Sequence, residues 1–563
     1  SVTRAERIQG YEYSVTSTLD RHNLTAYIDP NQNRTEYEYY TEADVFPGET
    51  PDPLSVGKHE WVKEVREAAG EPEQVTTSFI YDLTEITTTG RFITHVTDPR
   101  SNTTIYRLNQ NGSPLEIEEP GGILTKMEWS SHDIYKTKET DAEDRITRFE
   151  YDDRANLTKE IIETTEFGAV ITEFDYDPVF NKMTYKKDAE GRETVFEIDP
   201  ANGNLLSITD AEGNVTRFDY DPDNGDLEHQ WDARGYRTRF EYDENGNPTY
   251  IEDALGNHTY RIYDERSRKT STEDSFGRGS EWIYDALDRV HIQRRFDDKG
   301  SSATEEITTT YFPNGEVQTQ TNGLALVTTN VLDGLNRVRA KRQSGGGLDA
   351  ETVTLTDYDG NGNVERLTDR RNVVTENDYD ELNRLIRVSV SGPYGDPQVV
   401  SEMDYDGVGN KRYEIDVRGN RTDFAYDELY RVRERKLPTD PASHIETFTY
   451  DLVGNKMTQS DANGRVTVFE YDDLNRVILK TDPEQNRTRF GYDQLGNLTE
   501  EEDLTRGLST VSTYDPLKRL LSRTVTASAP NAFGYVTSFE YDDSAHTVVE
   551  TDPRQFKKMT VLD

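Results

Sequence analysis

The chain first offers chemistry at Asp357-Tyr358-Asp359-Gly360-Asn361-Gly362, where oxygen-bearing side chains alternate and a glycine stands sixth. A calcium loop begins this way, with oxygens at positions one, three and five and a sharp turn at glycine six. Such a loop closes on a bidentate glutamate at position twelve, and here that position is Thr368. Asp219-Tyr220-Asp221-Pro222-Asp223 imitates the pattern less well. The nine histidines stand singly, and His59-Glu60 lacks the second histidine that a zinc-binding helix places four residues on. No Gly-x-Ser-x-Gly elbow and no phosphate-binding glycine loop occurs. Carboxylates lie close together throughout, but a catalytic pair needs an enclosure that drives two pKa values apart, which solvated turn aspartates lack. The sequence predicts no catalytic, cofactor-binding or metal-binding residue, and a glycan-degrading enzyme is the least supported reading.

Both calcium-like stretches contain Tyr-Asp, and that dipeptide organises the chain. It recurs at Tyr81, Tyr151, Tyr176, Tyr220, Tyr242, Tyr263, Tyr284, Tyr358, Tyr379, Tyr405, Tyr426, Tyr450, Tyr471, Tyr492, Tyr514 and Tyr541. Many gaps are 21 or 22 residues, so one small supersecondary unit is stacked along most of the chain. A motif written so often reads as scaffold, and the tyrosines from Tyr151 onward are expected to be structural repeat positions. Units without the dipeptide keep step: Ile198 falls 22 residues from both Tyr176 and Tyr220, and Trp129 lies 22 before Tyr151. Tyr311 and Leu332-Asp333 hold register between Tyr284 and Tyr358, Leu108 precedes Trp129, and Tyr39 and Tyr13 read as degenerate members. The array is expected to cover residues 1–563 as one domain.

Two elements must position each dipeptide. In Arg487–Tyr492, Thr488, Phe490 and Tyr492 alternate with Arg487, Arg489 and Gly491, the period of a half-buried strand. Asp493-Gln494-Leu495-Gly496-Asn497 follows as a turn whose glycine takes a positive φ. The preceding strand, from Arg476 to Lys480, ends in Asp482-Pro483-Glu484-Gln485-Asn486, expected to be a second and different turn. From Tyr284 the intervals run 27, 21, 26, 21, 26, 21, 24 and 21, so every second return hairpin is longer. Gly-, Ser- and Pro-bearing tips near 295–305, 343–351, 391–398 and 437–446 are expected at one edge of the sheet. Residues 41–78 show no clear strand pair and read as an insertion, with a short helix expected at His59–Ala69.

Composition agrees with a thin sheet. Apolar residues make up 33%, while 33 tyrosines and 20 phenylalanines are too many, and too regular, for a disordered chain. A formal charge of −44 argues against nucleic acid and anionic lipid as partners and leaves solubility or a basic partner as its meaning. Cysteine is absent, which excludes disulfides and thiolate sites and favours a bacterial source over a secreted eukaryotic one. No apolar run approaches the roughly 18 residues of a membrane span. The chain opens at Ser1 inside repeat-like sequence, and Met559–Asp563 reads as a new strand, so a piece of something longer is expected. Asn-x-Thr/Ser recurs, as at Asn214, Asn420 and Asn486, where asparagine suits the turn and threonine the next strand, so it is read as turn grammar.

Tyr-Asp-x-x-Gly-Asn/Arg alternating with Asp-x-x-Gly-Asn-x-Thr at this period resembles the RHS, or YD-repeat, family. That family includes bacterial Rhs polymorphic toxins, wall-associated proteins, the B and C components of Tc toxins, and teneurins. The resemblance implies an all-β fold in which antiparallel hairpins form a long spiralling sheet, a hollow shell or part of one. It implies a non-enzymatic segment of a secreted or surface-exposed bacterial protein. The partners it implies are the protein's own C-terminal toxin domain or another enclosed polypeptide, and the remaining repeats. The alternative is an extracellular adhesion or glycan- and protein-recognition module. Family toxins end their shell on an Asp-Pro-x-Gly-type motif with an autoproteolytic aspartate pair. Asp552-Pro553-Arg554 reads instead as an ordinary turn, so self-cleavage is not expected of this stretch.

Overall fold

A computed structural model describes residues 10–13, 23–40, 61–82, 91–298, 300–393, 395–438, 444–527 and 533–562. They hold 47 strands in an antiparallel sheet and, among the described residues, no α-helix. Strand after strand pairs with its neighbour in sequence, as Val477–Thr481 does with Arg487–Tyr492 and that strand with Leu498–Asp503. The all-β meander expected from the two-residue period is the fold.

Alternation decides what each face carries. Thr488, Phe490 and Tyr492 share one face, while Arg489 faces Glu502 directly across the ladder and bonds it at 2.6 Å. Lys159 with Glu173 repeats this directly opposed pairing, and Arg107 reaches Glu118 on the diagonal. Among the described residues only Ala26, Tyr40, Ala68, Ile93, Val170, Phe296 and Ala340 are buried hydrophobics, as a single layer of sheet requires.

Many repeat tyrosines sit on a β-bulge, although Tyr541 pairs with Val548 without a slip. In one example Asp357 pairs with Arg366 but Tyr358 pairs with Val364, so the return strand carries one extra residue. The same slip recurs at Tyr220, Tyr263, Tyr405, Tyr471 and Tyr514. A bulge raises local twist and re-aims the side chain beside it.

The two turns expected to differ are alike. In Asp493–Asn497 the Asp493 amide donates to the Asn497 carbonyl and the Gly496 amide to the Asp493 carbonyl, both at 3.0 Å. Asp482–Asn486 makes the same two bonds, both at 2.9 Å, with Gln485 at φ 66° where the other turn has glycine. Both are three-residue hairpin loops closed by a left-handed residue. Proline fits at the second position because no hydrogen bond is asked of its nitrogen.

The helix expected at His59–Ala69 is instead a strand, Val62–Glu67, paired antiparallel to Arg34–Tyr39 and to Val75–Asp82. Arg66 reaches both Glu38 across the ladder and Glu64 beside it, and two ladders outweigh the weak helical preference of a Lys-Glu-rich segment. His59, Glu60 and the rest of 41–60 lie outside the described residues, and 61–78 belong to ordinary hairpins. The longer return hairpins come with longer strands, seven or eight residues at Val338–Gly345, Leu385–Ser391 and Gln398–Tyr405. Residues 299, 394 and 439–443 at the long tips lie outside the described set.

The chain divides into two compact units, each drawn from separate stretches. Unit one takes residues 1–149, 283–293 and 305–423, and unit two takes 150–282, 294–304 and 424–563. Each thus contains an earlier row of hairpins and a later row.

Candidate functional site

Two kinds of bond recur at the tyrosine corners. The tyrosine hydroxyl donates to the carbonyl that opens the preceding return strand: Tyr220 to Leu205 at 3.0 Å, Tyr358 to Val338 at 3.0 Å and Tyr405 to Leu385 at 2.8 Å. Burial pushes the phenols of Tyr220 and Tyr358 up, so they stay protonated donors. The aspartate then cages its own turn. Asp243 Oδ1 accepts the amides of Asn245 and Asn247 at 2.9 Å, and Asn247 Nδ2 returns to Oδ2 at 2.9 Å. These bonds, led by the Asn247 side chain, hold the Asp243 carboxyl below the usual carboxylate range.

The residue four beyond the aspartate alternates along the later rows. Asp333, Asp380, Asp427, Asp472 and Asp515 are followed at that position by Arg337, Arg384, Arg431, Arg476 and Arg519. Between them, Asp359, Asp406, Asp451 and Asp493 are followed by asparagine. Each arginine binds its own aspartate and reaches into the next turn: Arg384 Nε to Asp380 and Nη1 to the Asp406 carbonyl, both at 2.6 Å. It also lies over the next tyrosine ring, as Arg384 over Tyr405 at 5.0 Å and Arg337 over Tyr358 at 4.4 Å. Units are clasped in pairs, which matches the alternation in their spacing.

Within unit one, second turns of the earlier row dock on Tyr-Asp turns of the later row. Arg100 donates to the carbonyls of Tyr379 and Asp380, both at 2.8 Å, and Asn361 Nδ2 reaches Asp98 at 2.6 Å. A Cβ on Gly360 would come within 3.1–3.3 Å of Pro99, so the two turns are in contact. Glu143 accepts the Gly407 amide at 2.9 Å.

Unit two has its own seam. Glu190 accepts the Leu452 amide at 2.7 Å and Glu212 that of Asp473 at 3.0 Å, each amide lying one residue after a cage aspartate. Arg234 donates to the carbonyls of Asp515 at 3.0 Å and Pro516 at 3.3 Å. Glu428 accepts the Thr165 amide at 2.5 Å, and those bonds hold its carboxyl low, the Thr165 hydroxyl contributing most.

Of the repeat tyrosines named from sequence, Tyr263, Tyr379, Tyr450, Tyr471, Tyr492, Tyr514 and Tyr541 make the same hydroxyl-to-carbonyl bond as Tyr220. Tyr176 and Tyr242 have phenols pushed up by burial, while Tyr151, Tyr284 and Tyr426 keep partners of their own. The calcium-like aspartate Asp359 is caged by Asn361 and Asn363 like any other turn aspartate. The cross-row residues Arg100, Glu143, Glu190, Glu212 and Arg234 were not foreseen. Their common signal is a charged side chain two residues after a second-turn aspartate.

A family model described as RHS Repeat matches residues 199–224, 222–258, 450–485 and 471–508. No curated protein matches. Among solved structures, TcdB2-TccC3 is similar over 96% of this chain and 36% of its own, with a TM-score of 0.62 at 14% identity. TcdB2-TccC3-Cdc42 gives 0.61 at 13% identity over 97% of this chain and 38% of its own. A Photorhabdus luminescens Tc holotoxin pore gives 0.61 at 13% identity over 98% and 38%. At such identities the likeness is one of fold, and this chain spans little more than a third of the chains it matches.

Proposed function

We propose that this chain, which carries RHS repeats at 199–258 and 450–508 and has the fold of larger solved structures, serves as a non-enzymatic wall that encloses a polypeptide cargo, a toxin or effector, in a secreted bacterial protein. The supporting observation is the seam inside each unit, where turns of one row lock onto turns of a row about 260 residues away, as Glu190 does to Leu452. A strip whose rows seal edge on edge can make a wall without a second layer, and sealed turns leave few edges for other strands to join. Among the described residues no helix is long and apolar enough to cross a membrane. The adhesion reading has one observation in its favour. The tips of the long hairpins at 343–351 and 391–398 make none of the described cross-row bonds, although Arg339 at the base of the first reaches Glu73 at 3.4 Å.

Limited proteolysis of the full-length protein, with electron microscopy of the same sample, tests the proposal. A hollow particle whose effector resists protease until the wall is opened supports enclosure. A solid or flat particle, or an effector digested at the rate of the free domain, overturns it.

A further inference from the structure

Four second turns in the earlier rows share one kind of slot, between one turn of the later row and the arginine-bearing turn that follows it. They begin at Asp29, Asp98, Asp188 and Asp232. In the Asp98 slot Arg100 forks onto the Tyr379 and Asp380 carbonyls, with Nε 3.5 Å from the Asp359 carboxylate. In the Asp232 slot Arg234 takes the Asp515 carbonyl and stands 3.4 Å from Asp493. In the Asp188 slot Arg192 donates to Asn475 and lies 3.7 Å from Asp451 and 3.6 Å from Asp473.

The Asp29 slot, wholly within unit one, holds Asn31 where Arg100 and Arg234 stand. The Asn31 side chain stops short: its amide reaches Asn336 Oδ1 at 2.7 Å and its own oxygen takes the Asn314 amide at 3.2 Å. Beyond it lies a cavity of about 600 Å³, lined by Pro30, Asn31, Phe312, Pro313, Leu332 and Asp333 among others. Leu332 and Asp333 correspond to Tyr379 and Asp380, whose carbonyls receive the Arg100 fork. Phe312 replaces the carboxylate of Asp359, and a ring face stacks with a guanidinium.

We propose that this cavity binds an arginine side chain presented by another polypeptide. The fork of donors matches two adjacent carbonyls, the planar cation stacks on Phe312, and the chain's charge of −44 concentrates basic peptides near it. Lysine is a poor substitute, because a compact ammonium cannot bridge both carbonyls and keep its stack.

Calorimetric titration of the whole 563-residue chain with acetyl-Gly-Arg-Gly-amide, and with its lysine counterpart at the same ionic strength, tests the site. The arginine peptide is expected to bind about tenfold more tightly or better. Asn31→Arg, which supplies the guanidinium from within, is expected to weaken it by about the same factor while raising the melting temperature. Phe312→Ala keeps the cavity and removes the ring, so binding falls several-fold in a chain whose circular dichroism is unchanged. This second variant decides the matter where Asn31→Arg does not fold. Absent binding, equal binding of the two peptides, or arginine binding indifferent to both substitutions would overturn the proposal.

Discussion

The hydroxyl of Tyr492 donates at 2.9 Å to the carbonyl of Val477, the residue that pairs with the bulged Tyr471 one unit earlier. The Tyr471 hydroxyl in turn donates to Lys456, which pairs with the bulged Tyr450. Each tyrosine therefore secures the bulge of the one before it.

Removing one such tie should have a local effect. Tyr492→Phe keeps the ring and loses the hydroxyl, at a cost of about 1 kcal/mol. Native-state hydrogen exchange should show amides of Val477–Thr481 and Arg487–Tyr492 opening about fivefold more readily, with distant repeats unchanged. Unchanged protection at these strands would mean the hydroxyl bears no load.

The unit-two seam depends on a guanidinium fork at Arg234. Arg234→Lys keeps the charge near Asp493 but cannot hold both the Asp515 and Pro516 carbonyls. A loss of about 1–2 kcal/mol is expected. It should appear as faster exchange and protease nicking at 515–519, while ladder amides in the same strands keep their protection.

Two glycines separate strain from crowding. Gly203 has φ 82° and a Cβ there would meet the Phe180 ring at 2.6 Å, whereas Gly213 has φ 78° with nothing within 4 Å. Gly213→Ala should cost about 1 kcal/mol for the left-handed backbone alone. Gly203→Ala should cost about 1–3 kcal/mol more, since the ring must move. Equal melting temperatures for the two variants would refute this.

Stability should fail at both ends of the pH scale. The Arg268 guanidinium holds the Asp264 carboxyl down at about 2, and the side chains of Asn247, Asn486 and Asn156 keep the carboxyls of Asp243, Asp482 and Asp152 low as well. A lowered folded-state pKa contributes stability present above the unfolded value of about 4 and lost as pH falls toward 2. Burial raises the phenols of Tyr450, Tyr471 and Tyr492, so their contribution is whole below about pH 10 and lost above it. Melting temperature against pH should show a plateau between these limits, and Asp264→Asn should flatten part of the acid limb.

How much of this was readable beforehand depended on the range of each interaction. The strands, the turn aspartates and the paired spacing rest on residues within one or two units, where period and turn chemistry are written directly. The similarity of the two turns was hidden because Gly496 and Gln485 look unlike, though both take the left-handed conformation. The strand at Val62–Glu67 was misread because its partner Arg34–Tyr39 lies across a gap that breaks the 21-residue count. The seams were not legible at all. Nothing local to Glu190 or Arg234 says that Leu452 and Asp515 will lie beside them, since that depends on twist summed over a dozen units.

The interleaving of early and late segments within each unit sets a schedule for biosynthesis. Glu190 cannot meet Leu452 until some 260 further residues have been made. At about 5–20 residues per second that is a wait on the order of 10–50 s. Through that interval the earlier row stands as an unsealed ribbon of hairpins, each local pairing complete and each docking site unanswered. Hairpins form in microseconds, so the rate-limiting events are the late, long-range ones that carry a high contact order. The period of greatest vulnerability to aggregation is thus fixed by the number of units in one row, and lengthening a row would prolong it.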